Sequence, residues 1–141
     1  MKKLILTLSV ILAFQGLPFI GTTAAYAGDK TPVLEIYYFH GTYRCPTCLS
    51  IEANTRKLLD TYFKDKVDDG TIKLIVLNFQ DKENKALCEK YKVSGSALLL
   101  VKNDNGDTRT MDMTNFAFSY SRNSPDTFID GMKNRITELL K

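Results

Sequence analysis

The sequence predicts an α/β fold, a central mixed sheet flanked by helices in the order β-α-β-α-β-β-α. Three observations carry that reading. Apolar runs of strand length alternate with stretches whose apolar residues recur at helical spacing. Asn103-Asp104-Asn105-Gly106 is a turn signal between two strand-like runs, so the last two strands should pair antiparallel. Cys45-Pro46-Thr47-Cys48 joins the first apolar run to the first amphipathic one, placing two thiols where a strand gives way to a helix.

Val33 to Phe39 is a nearly continuous apolar run, interrupted by Glu35, and suits a strand covered on both faces. Beyond the cysteines, Cys48, Ile51, Thr55, Leu58, Leu59, Tyr62 and Phe63 recur at helical spacing, with Glu52, Arg56, Lys57 and Asp60 on the opposite side. Asp68-Asp69-Gly70 closes the following connection, and Thr71 to Phe79, rich in branched residues, reads as a second buried strand. Strand, helix, strand in succession predicts a right-handed parallel crossover. Asp81 caps a shorter helix in this reading, with Leu87, Cys88 and Tyr91 inward and an end near Lys92. Ala97 to Lys102 and Thr108 to Thr114 are the third and fourth strands. Asn115 to Asn123 alternates Phe116, Phe118 and Tyr120 with polar or small residues, a pattern that fits either a strand extension or an aromatic loop. Ser124 and Pro125 open the last helix as N-cap and N1, with Phe128, Met132, Ile136 and Leu139 as its buried stripe.

Met1 to Ala27 has the features of a secretory signal peptide: Lys2 and Lys3 at the basic end, an apolar region from Leu4 to Ile20, and Ala25-Tyr26-Ala27 as a small-x-small cleavage site. The competing reading is a retained anchor. Gln15, Gly16 and Pro18 interrupt the apolar region, whereas a spanning helix needs about 20 consecutive apolar residues. The expectation is therefore an exported protein, periplasmic or secreted, with one domain from Gly28 to Lys141 and no membrane span after cleavage. The formal charge of +3, less Lys2 and Lys3, falls to +1, which leaves no basic surplus to suggest nucleic acid as a partner. Three cysteines, two of them three residues apart, do not make the even, dispersed set of a structural disulfide framework.

With Cys45 as N-cap, Cys48 falls at N3 and Pro46 at N1, where a missing N–H costs nothing. The unpaired N–H groups and positive end of the helix then point at the Cys45 sulfur and favour its thiolate. Arg44 adds a cation beside it, and His40, the only histidine, stands at the strand end. These two are the expected modulators. Plainer alternatives stay open: a structural disulfide or part of a metal site for the pair, solvation for Arg44, a backbone-satisfied ring for His40, and simple burial for Cys88.

At this point the chain resembles the thioredoxin superfamily, on its element order, on Cys45-Pro46-Thr47-Cys48 at the first helix start, and on Tyr91-x-Val93 followed by Leu98-Leu99-Leu100. More narrowly, Tyr38-Phe39-His40-Gly41, Arg44-Cys45 and Cys48 with Ile51-Glu52 resemble exported thioredoxin-like proteins of the ArsF family of nitrophenyl nitroreductase subunits. The sequence holds no flavin or nicotinamide fingerprint to go with that family's title. The resemblance implies a thiol–disulfide oxidoreductase in which Cys45 attacks and Cys48 resolves. It further implies a redox-active Cys45–Cys48 disulfide in place of a cofactor, and as partner a protein thiol or disulfide or a membrane electron donor. Two departures stand out. Most of the superfamily has a cis-proline before the third core strand, where this chain has Val93-Ser94-Gly95-Ser96-Ala97. Thioredoxins proper also carry a buried carboxylate on the first strand, and the one acid there, Glu35, is wrongly spaced from the cysteines. Tyr37 and Tyr38 are nearer and read as packing. Two other functions remain: a soft-metal carrier or sensor using Cys45 and Cys48 with His40 or Cys88, and a noncatalytic thioredoxin-fold subunit of a reductase or detoxification system.

Overall fold

In the computed structural model, which describes residues 31–104 and 106–141, the run Leu34–His40 is strand β1 and occupies the middle of a four-stranded sheet. The signal-peptide reading of Met1 to Ala27 lies outside the described residues. The other strands are β2 (Ile72–Asn78), β3 (Ala97–Asp104) and β4 (Asp107–Asp112), in the order β2-β1-β3-β4. β1 pairs parallel with β2, Leu34 opposite Ile72, and antiparallel with β3, Tyr38 opposite Leu98. β3 and β4 pair antiparallel through the predicted turn, where Gly106 takes a φ of 102°. Helices cover both faces, and this mixed α/β sheet is consistent with a thioredoxin-like fold.

The continuous apolar character of β1 follows from that central place. Leu34, Ile36 and Tyr38 face one layer, formed with helix α1 (Pro46–Tyr62) and helix α5 (Pro125–Leu139). Tyr37 and Phe39 face the other, with Leu99, Val101 and Cys88 of helix α3 (Lys85–Tyr91). β2 departs from expectation. It is an edge strand with one strand neighbour, so Leu74, Ile75 and Val76 are half-buried rather than buried and Lys73 is exposed, a charge that discourages further strand pairing there.

The helices refine the reading in five places. Tyr62, expected inward, is exposed and lies under the Lys133 ammonium, 4.2 Å from its ring centre, while Phe63 packs on the core from the cap position. A short helix, α2 (Lys64–Asp68), fills part of the connection to β2. Asp81 precedes a 3₁₀ turn, Lys82–Asn84, ahead of α3, and its carboxylate accepts from Asn78 rather than capping the turn. Asn115 to Asn123 contains neither a strand extension nor an aromatic loop alone; its first six residues belong to helix α4 (Thr114–Tyr120). The buried residues there are Met113, Ala117 and Ser121, four apart, so the two-residue alternation of aromatic rings points Phe118 and Tyr120 to solvent. Phe116 alone of the three turns inward, stacking 6.1 Å from Phe128, and a Cβ on Gly131 of α5 would run into its ring. Pro125 is N1 of α5 as expected, but the Ser124 side chain makes no capping bond.

Candidate functional site

β1 delivers the chain to the site through Gly41–Arg44, and that loop is held against the end of β2. Thr42 N–H donates to Gln80 Oε1 at 2.8 Å, and Asn78 Nδ2 donates to Thr42 Oγ1 at 3.0 Å. Helix α1 then starts as predicted, with Cys45 as N-cap and Pro46 at its first position. Cys45 takes an extended backbone (φ −74°, ψ 162°), and its Sγ accepts the Cys48 N–H at 3.2 Å. A cysteine sulfur thus fills the place usually held by a serine or aspartate oxygen.

The two thiols have opposite surroundings. Cys45 is exposed, and Cys48, one turn on, is buried with 7% of its surface accessible. The Cys45 thiol is held below its ordinary pKa, chiefly by a hydrogen bond from the Cys48 side chain and then by the Cys48 N–H. Burial pushes the Cys48 thiol up, and donation to Cys45 raises it further. The pair is therefore asymmetric, with Cys45 the readier of the two thiols to lose its proton.

Arg44 is placed differently from a bare cation beside the sulfur. Its guanidinium pairs with Glu52 Oε2 at 2.6 Å, reaches the Cys48 carbonyl at 3.4 Å, and lies 5.6 Å from the centre of the Tyr38 ring. Glu52 also pairs with Arg56 at 2.7 Å. Burial works to raise the Glu52 pKa, but the hydrogen bonds from Arg56 and Arg44 outweigh it and hold the carboxyl below its usual value. Tyr38, fully buried on β1, donates its hydroxyl to the Cys48 carbonyl at 2.8 Å. Sequence reasoning missed both roles. Tyr38 shares a face with Leu34 and Ile36, so strand alternation alone could have placed it beneath α1, and Glu52 sits four residues after Cys48 on the helix face next to the thiols.

The remaining candidates stand apart. The half-buried His40 places Nδ1 2.9 Å from its neighbour's carbonyl, Gly41 O, the plain reading of a strand-end histidine. Cys88 lies in the layer across the sheet, its thiol 3.7 Å from Phe79 O. His40 and Cys88 thus do not assemble with the pair, and among the described residues no group of three or more His, Cys, Asp or Glu is placed to hold a metal ion. Glu35 takes a hydrogen bond from Asn103 at the far end of β1, as its spacing implied. The stretch without the superfamily's proline enters β3 at Ala97, paired with Phe39, so it borders the same sheet end as the cysteines. Gly95 there has open space around it.

No family model matches the chain, and no curated protein matches it. Among solved structures it is similar to one described as a malarial protein, at 21% identity over 70% of this chain and 96% of that one, with a TM-score of 0.43. It is also similar to a thioredoxin from Thermus thermophilus, determined in solution, at 14% identity over 73% of each chain, with a TM-score of 0.48.

Proposed function

We propose that the protein is an exported thiol–disulfide oxidoreductase that exchanges disulfides with a partner protein through Cys45 and Cys48. The observation that carries this reading is the pairing of an exposed, helix-capping Cys45 sulfur, 3.2 Å from the Cys48 N–H, with a buried thiol one turn behind it. In the reducing direction the Cys45 thiolate attacks a partner disulfide. A Cys45–partner disulfide forms, and one partner sulfur leaves as a thiolate that takes a proton from water. Cys48 then loses its proton and attacks Cys45 Sγ. The Cys45–Cys48 bond forms, and the second partner sulfur departs with the bonding pair and is protonated. Two electrons pass to the partner, and the reverse sequence oxidises a partner dithiol. The membrane electron donor expected from the sequence would serve to reset the pair. The likeness to ArsF-family proteins fits an exported carrier of thiol equivalents within a larger reductase system.

Cys48→Ala removes the resolving sulfur and should accumulate a partner on Cys45 as a mixed disulfide, released by dithiothreitol. Absence of any such adduct in the exporting cell, with Cys45 still reactive to alkylation, would count decisively against exchange. Equilibration of the unmutated protein with a dithiothreitol or glutathione series gives the direction: a two-electron transition near about −270 mV marks a reductant, and one near about −120 mV an oxidant.

A further inference from the structure

The resolving step requires Cys48, buried and protonated, to become an anion inside the protein, where an unpartnered charge is costly. No carboxylate of β1 stands near it, since Glu35 is engaged with Asn103 at the other end of the strand. What the fold places there instead is a phenol. Tyr38 is fully buried, its hydroxyl is 2.8 Å from the Cys48 carbonyl, and the Arg44 guanidinium that covers its ring bonds the same carbonyl. Glu52 fixes Arg44 at 2.6 Å and is itself tied to Arg56. The charged and titratable groups around this point are thus Cys45, Arg44, Glu52 and, 6.1 Å from the Tyr38 ring, His40.

Resting on the exchange reading above, we propose that Tyr38 is the positioning residue of the resolving step. Its hydroxyl, held between the Cys48 carbonyl and Arg44, turns its hydrogen bond to the Cys48 sulfur as that sulfur becomes the attacking thiolate. Tyr38 keeps its proton throughout. Burial pushes its phenol well above the ordinary value, so it serves as a donor and not as a base, and a hydrogen bond from it to the Cys48 sulfur favours the thiolate against the burial that disfavours it once the hydroxyl has turned. The proton lost by Cys48 goes to water and is balanced by the proton the departing thiolate takes up. Arg44 polarises the phenol, and the Glu52 pair keeps Arg44 there while cancelling its net charge.

The test is Tyr38→Phe in the intact protein, read by ¹³Cβ NMR titration of Cys45 and Cys48 and by the rate at which Cys48 releases glutathione from glutathionylated Cys45. Cys48 should titrate at higher pH than in the unmutated protein, and glutathione release at neutral pH should slow roughly tenfold, the size of one hydrogen bond to a charged atom. An unmoved Cys48 titration, or an unchanged release rate, overturns the assignment. Should Tyr38→Phe fail to fold, Arg44→Met, at a partly exposed position, should move both readouts in the same direction by less, and a Cys48 titration left in place there overturns it instead. Neither readout uses a protein partner. Missing capture by Cys48→Ala together with a displaced titration would reject exchange but not the Tyr38 contact, and the converse would reject Tyr38 alone.

Discussion

Replacing Gly131 by alanine tests the packing of α4 against α5, the contact that sequence periodicity did not anticipate. In an exposed helix interior this change stabilises by about 1 kcal/mol, because alanine has the better helix propensity. Here the added methyl meets the Phe116 ring, with both Cε atoms about as near as 3.0 Å and Cζ nearer still. The ring has little room to yield: Phe128 stacks against it at 6.1 Å and Tyr120 leans on it at 5.0 Å. Overpacking of this kind costs about 1–3 kcal/mol, and with a ring that cannot swing aside the upper half of that range applies. The expected balance is a loss of about 1–2 kcal/mol. In urea unfolding of the reduced protein, with a slope of about 1–3 kcal/mol per molar, the midpoint should fall by roughly 1 M at unchanged slope. Phe116→Leu should absorb much of the clash, so the double variant should be more stable than the two single losses predict. A Gly131→Ala protein as stable as the parent, or more so, would refute the packing argument.

Two further outcomes follow from the charges at the site. Iodoacetamide at neutral pH should modify Cys45 well before Cys48 or Cys88, and its rate should rise across a pH range below that of an ordinary thiol, since the Cys45 pKa is lowered by the Cys48 hydrogen bonds; mass mapping of the alkylated residue checks this, and equal labelling of all three would contradict it. Because the Glu52 pKa is depressed in the folded protein, its contribution to stability is present above the ordinary glutamate pKa and is lost as pH falls through the lower, folded value. Glu52→Gln should therefore flatten the acid limb of the stability profile by a few tenths of a kcal/mol to about 1 kcal/mol in low salt, with little change at alkaline pH.

The central strand and the helix start were legible because each depends on local chemistry. A run from Val33 to Phe39 with one charge can satisfy its apolar side chains only between two layers, and Cys45, Pro46 and Cys48 occupy the N-cap, N1 and N3 positions whatever the rest of the chain does. The edge position of β2 was not legible, since Ile72 to Leu77 is as apolar as a central strand and only sheet order decides how much of it water reaches. α4 was hidden for another reason. Its buried positions are small or flexible residues, Met113, Ala117 and Ser121, while its rings fall on alternate residues and imitate a strand. Tyr38 looked like packing because nothing in a sequence says that a hydroxyl ends beside the carbonyl of a residue ten positions on.

The sheet separates Cys88 from the Cys45–Cys48 pair, and this gives the unaltered sequence a second reporter thiol. Cys88 keeps 8% of its surface accessible and lines a surface cavity with Phe79, Lys85 and Val93, so a small reagent meets its sulfur from the opposite layer at a rate set by its shielding, while Cys45 reacts from an exposed helix start. The Cys88 rate relative to that of Cys45 therefore follows the packing of α3 on the sheet without an introduced probe.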